Sequence, residues 1–117
     1  MNRLACMLLL IVSVAAIDPK ALADGSGWPL DATIVSHVET LISMPAGALP
    51  IEDYTRYYQP GFHEGHRTIL GIFVIGGDRT AHLSSHHPTV TDGGCAVINV
   101  LFDVDTDQPL EIRCSGG

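Results

Sequence analysis

The run Thr68-Ile69-Leu70-Gly71-Ile72-Phe73-Val74-Ile75 constrains the fold more than any other stretch of the chain. Successive side chains of a strand point to opposite faces, and here both alternations are apolar. A strand of that kind belongs in the centre of a sheet. A second strong strand is expected from Cys95 to Phe102, with Ala96, Ile98, Val100 and Phe102 on one face and Val97, Asn99 and Leu101 on the other. Asn99 stands out mid-strand among apolar neighbours, as a buried polar group with a partner or as the floor of a small pocket.

Turn chemistry arranges the strands. Gly76-Gly77-Asp78-Arg79 separates the central run from Thr80 to Ser85, which reads as its return strand in a hairpin. His86-His87-Pro88 breaks that strand, and Asp92-Gly93-Gly94 is a turn signature. Asp103 to Pro109 turns the second strong strand back into Leu110 to Cys114. In a simple register this hairpin sets Cys95 opposite Cys114, Val97 opposite Ile112 and Asn99 opposite Leu110. Upstream, His63-Glu64-Gly65-His66 is a turn, and Ile51 to Gln59 fits either a short helix or an edge strand, ended by Pro60-Gly61.

One helix is expected, from Asp31 as N-cap to about Met44. Ile34, Val35, Val38, Leu41 and Ile42 form its apolar stripe, and Pro45 and Gly47 close it. Segregated elements of this kind predict an α+β domain, one N-terminal amphipathic helix packed on an antiparallel sheet of about four strands. The order of elements is similar to that of cystatin-like and nuclear-transport-factor-like domains, a likeness of arrangement that implies nothing about function.

Residues 1–23 read as a secretory signal peptide: Arg3 is followed by an apolar run from Leu4 to Ile17, then by Ala21-Leu22-Ala23 at the cleavage point, with a cut after Ala16 as the second choice. The run is shorter than the roughly 20 apolar residues of a membrane-spanning helix. Residues 24–30 are expected to be a flexible arm and residues 31–117 a single α+β domain. The destination is the periplasm or the outside of the cell, with no membrane attachment after cleavage. The whole chain carries 13 acidic and 6 basic side chains for a net charge of −7, a balance that disfavours nucleic acid and anionic lipid as partners. After a 23-residue leader only Arg56, Arg67, Arg79 and Arg113 remain as strong bases and no lysine is left for Schiff-base chemistry, whereas the cut after Ala16 would keep Lys20.

Cys95 and Cys114 are expected to form a structural disulfide, since two cysteines in a small domain of an oxidising compartment pair. They close a loop of about 20 residues, worth on the order of 3 kcal/mol. Neither lies in a Cys-x-x-Cys motif of redox type.

No catalytic signature is assembled, and no motif calls for a cofactor. The serines lack a Gly-x-Ser-x-Gly elbow. Asp103, Asp105 and Asp107 begin like a calcium loop, but Gln108 stands at its glycine and Cys114 at its bidentate glutamate. All six histidines follow the leader. His63, His66 and His86 or His87 are the candidate ligands of an alternative, metal-binding or small hydrolytic reading. The leading expectation is a non-enzymatic binding module for a protein or small ligand. Its candidate contact residues are Arg56, Tyr57, His86 and His87, because arginine and tyrosine recur at recognition surfaces. Against this, Tyr54 and Tyr58 could pack under the helix while Arg56 pairs with a carboxylate.

Overall fold

The computed structural model describes residues 27–84 and 93–115, and every structural statement below concerns those residues. The expected signal peptide and the loop with His86 and His87 lie outside them. Helix α1 runs Ala32–Leu41, and Asp31 caps it, its Oδ1 accepting a hydrogen bond from the Ile34 N–H at 2.9 Å. It ends three residues short of the expected end near Met44. The Thr40 hydroxyl donates back to the His37 carbonyl at 2.6 Å, and Pro45 biases Met44 away from helical geometry. Val35 and Val38 are buried against the sheet.

Five strands form one sheet: β1 (Tyr54–His63), β2 (His66–Ile75), β3 (Ala81–Leu83), β4 (Gly94–Asp103) and β5 (Gln108–Ser115), in the order β3-β1-β2-β4-β5. The α+β class holds, and the doubly apolar run is indeed the central strand. The ambiguous segment resolves into one 3-10 turn at Ile51–Asp53 and then a full interior strand.

Pro60 and Gly61 do not end β1. The Arg56 N–H donates outward to Thr80, so Pro60, in the same phase, faces the side where β3 has already stopped at Leu83 opposite Tyr58. Its missing N–H therefore costs no ladder bond. The β1–β2 hairpin closes on Glu64-Gly65, both at positive φ (51° and 80°), as a two-residue turn matched to strand twist requires.

The segment after Gly76-Arg79 does not return beside β2, as the hairpin expectation had it. β3 crosses the start of β1 and pairs with it in parallel, so the sheet is mixed. Thr55 holds the crossing: its hydroxyl donates to the Gly76 carbonyl at 2.6 Å and accepts from the Arg79 N–H at 2.9 Å. Gly77 has φ +67°, and a Cβ there would lie 2.4 Å from Thr55 Oγ1, so only glycine fits this bend.

The last hairpin also departs from a simple register. Ile112 lies opposite Val100 and Cys114 opposite Ile98, whereas Gly94 pairs with Ser115. β4 thus advances four residues while β5 advances one, and a second irregularity follows Leu101. These bulges bring Ile112 and Cys114 onto the face of Ile98 and Val100, where both pack against the core. The Cys95–Cys114 disulfide is formed and spans the first bulge, with Cα atoms 4.5 Å apart.

The core joins Val35 and Val38 of the helix to Tyr54, Tyr58, Ile69, Phe73, Ile98, Val100 and Phe102 of the sheet. Burying each such large side chain stabilises the fold by about 2 kcal/mol. Trp28, in the stretch expected to be a loose arm, belongs to this core. It is 4% exposed, and its indole N–H donates to the carbonyls of Gly61 (2.9 Å) and Thr68 (3.1 Å). The Arg67 guanidinium lies 5.4 Å from the centre of its ring. Among the described residues, no helix is long and apolar enough to cross a membrane.

Candidate functional site

Strand alternation divides the sheet into two unlike faces. Tyr54, Tyr58, Ile69, Phe73, Ile98, Val100 and Phe102 meet the helix. The intervening residues make the other face, and the register aligns them in rows. One row runs His82, Tyr57, Ile72, Asn99, Arg113 across all five strands, and the next runs Gln59, Leu70, Leu101, Glu111. None of Leu70, Ile72 and Leu101 joins the core cluster, and Leu70 is 42% exposed. The apolar run of β2 therefore has one covered face and one open one.

The two rows bound a groove of about 340 Å³ lined by Leu70, Ile72, Asn99, Leu101, Glu111 and Arg113, a volume at the lower end for small-molecule sites. Its floor is apolar. The half-buried Asn99 side-chain amide has no hydrogen-bond partner among the described residues, so it presents donors and an acceptor to whatever enters. Glu111 and Arg113 pair at 3.1 Å along one rim. Outside the groove, toward the β3 edge of the same face, the Tyr57 and His82 rings stack with centroids 5.2 Å apart. His82 Nε2 lies 2.8 Å from Asp78 Oδ2. Hydrogen bonding from His82, helped by the Thr80 N–H, holds the Asp78 carboxyl down to about 2.

The sequence-nominated residues separate. Tyr57 stands on the open face. Arg56 points the other way and is only 11% exposed: its Nε meets Glu39 Oε2 at 2.8 Å, and it also donates to the carbonyls of Tyr54 (2.9 Å) and Arg79 (3.1 Å). The Tyr58 hydroxyl donates to the same Glu39 oxygen at 2.6 Å. Burial, with the carboxylate beside it, pushes that hydroxyl's pKa far above the ordinary phenol range. This is the arrangement in which the tyrosines pack under the helix and the arginine is paired.

Of the candidate metal ligands, His63 and His66 face one another across the β1–β2 turn, while His86 lies outside the described residues. Among those described, no group of three His, Cys, Asp or Glu is placed to hold a metal ion. His66 has another partner: its Nδ1 lies 2.6 Å from Asp103 Oδ2, and Asp103, 5% exposed, also accepts from the Thr106 N–H at 3.1 Å.

That hydrogen bond raises the His66 pKa and lowers that of Asp103. A raised histidine stabilises fully below its unfolded value of 6.5 and loses that contribution as pH climbs through the folded value. A lowered aspartate stabilises above its unfolded value of 3.8 and loses it as pH falls through the folded one. Stability is expected to be greatest between these limits and to fall towards pH 8.5. Urea midpoints at pH 5.5 and 8.5 check this, and His66→Ala should shrink the difference. An unchanged difference in that variant would assign the pH dependence elsewhere.

No protein-family model matches the chain, and comparison with curated proteins and with solved structures returned no match. Leu70, Ile72, Leu101, Glu111, Arg113 and His82 were not nominated from sequence. The usable signal was a doubly apolar strand with one amphipathic helix expected to cover it, because a single helix covers a single face.

Proposed function

We propose that the protein is a non-enzymatic binding module, secreted or periplasmic, that holds a small ligand on the open face of its sheet. The observation that carries this reading is the groove itself: an apolar floor from Leu70, Ile72 and Leu101, lined also by Asn99, whose amide has no hydrogen-bond partner among the described residues. Burying that floor favours an apolar ligand body. The amide, which gains nothing from an apolar neighbour, selects a ligand that also carries a hydrogen-bonding group. The stacked Tyr57 and His82 rings lie on the same face but outside the groove's lining, and the disulfide suits an oxidising compartment.

The test is native mass spectrometry of the mature protein recovered from the periplasm, with and without a chelator, paired with the variant Asn99→Leu. Wild type should carry a small organic adduct that the chelator leaves in place and the variant loses, at unchanged thermal stability. A stoichiometric metal adduct removed by the chelator would overturn the reading in favour of the histidines. An adduct indifferent to Asn99→Leu would move the site off this face.

A further inference from the structure

The outer edge of β5 offers a second surface. β5 is eight residues long and pairs only with β4, so one row of its backbone N–H and C=O groups has no strand beyond it among the described residues. Such an edge is a template for another strand unless its side chains oppose pairing. Here the side chains select a partner. Glu111 and Arg113 flank Ile112, one of each sign, two residues apart and therefore on one face.

We propose that β5 pairs antiparallel with β5 of a second copy of this chain, about a two-fold axis through Ile112. In that register Ile112 meets Ile112, Glu111 meets Arg113 of the second copy, and Arg113 meets its Glu111, giving two cross-strand ion pairs by symmetry. Sliding the register by two residues brings either Glu111 opposite Glu111 or Arg113 opposite Arg113, so the charges fix the alignment as well as permit it. The same register sets Leu110, 45% exposed at the second bulge, beside Cys114 of the second copy. Within one copy, Glu111 and Arg113 already touch at 3.1 Å but are 49% and 67% exposed, so that pair contributes little and is free to exchange. The opposite edge, β3, has only three residues. Growth is therefore one-sided, and the assembly closes as a dimer. Two open faces become one continuous surface of ten strands with both grooves near its middle, since Glu111 and Arg113 line each groove.

Sedimentation velocity of the mature protein from 5 to 500 µM tests the proposal. A reversible monomer–dimer equilibrium is expected. Glu111→Arg alone, and Arg113→Glu alone, turn both symmetric pairs repulsive and should weaken the dimer about 10- to 30-fold. The double reversal, Glu111→Arg with Arg113→Glu, should restore it to within a few-fold of wild type. Both side chains are largely exposed, and circular dichroism verifies that each variant folds. A wild type that stays monomeric at 500 µM overturns the proposal, as does a dimer indifferent to the single reversals or a double reversal without rescue. Amide-exchange protection of the β5 N–H groups that face away from β4 in a monomer would place another segment on that edge and overturn the proposal too. The ligand site is tested separately through Asn99, which is not on β5.

Discussion

Replacing Glu39 with alanine is expected to cost the fold about 3 kcal/mol, the lower end for a buried ion pair, because this pair is only partly buried. Glu39 joins helix to sheet in the seam between them, accepting hydrogen bonds from both Arg56 and Tyr58. Truncation leaves the Arg56 guanidinium without its counter-charge and the Tyr58 hydroxyl, fully buried, without an acceptor. Each orphaned group adds its own desolvation cost. Arg56 keeps its bonds to the Tyr54 and Arg79 carbonyls, which holds the total near the lower bound. Tyr58→Phe, which removes one donor and strands nothing charged, should cost only about 1–2 kcal/mol. Urea denaturation of the three proteins checks the order. If Glu39→Ala costs less than Tyr58→Phe, the charge in the seam contributes nothing net. The groove lies on the opposite face, so the folded fraction of either variant should bind ligand as wild type does.

The second large effect is expected from the disulfide. Changing Cys95 and Cys114 together to serine should remove about 3 kcal/mol, the chain-entropy value for a loop of roughly 20 residues. The bridge spans the bulge where the β4–β5 register jumps, a place where ladder bonds are interrupted and another tether has the most to do. Part of the bulge is pinned independently: the Tyr54 hydroxyl donates to the Cys95 carbonyl at 2.6 Å and accepts from the Leu49 N–H at 3.1 Å. The variant should therefore still fold at 20 °C with a clearly lower denaturant midpoint. Because β5 also carries Glu111 and Arg113, its groove should bind more weakly even where folding is complete. A midpoint unchanged by reductant in the wild type would contradict this account.

Much of the fold is legible in local pattern. Asp31 ahead of a period-3.6 stripe marks the helix start, the doubly apolar run from Thr68 marks the central strand, and two cysteines 19 residues apart in a small domain mark the bridge. What escapes the pattern is long-range. The parallel pairing of β3 with β1 has no local signature, because a glycine-rich turn looks alike whether the chain returns beside its last strand or steps over the next one. The bulges in β4 are equally silent, since hydrophobic alternation assumes an unbroken register. Trp28 follows a glycine–serine stretch, and only the carbonyls of Gly61 and Thr68, far along the chain, explain why it is buried. As for the site, Asn99 is conspicuous as a polar residue in an apolar strand. Arg56 is conspicuous for the wrong reason: residue type says nothing about which face of β1 it occupies until the neighbouring strands are placed.

Trp28 is the only tryptophan in the chain, and its environment makes it an intrinsic optical probe. A dry indole with both its N–H contacts inside the protein emits at shorter wavelength than one in water, so unfolding should be followed by a red shift arising from one known place. That place is where the first described residues dock against the β1–β2 hairpin. Fluorescence therefore follows the attachment of the segment around Trp28, while circular dichroism follows the sheet as a whole. Coincidence of the two melting curves would identify the domain as one cooperative unit from Trp28 onward. An earlier fluorescence transition would separate the docking of that segment from the melting of the strands beneath it.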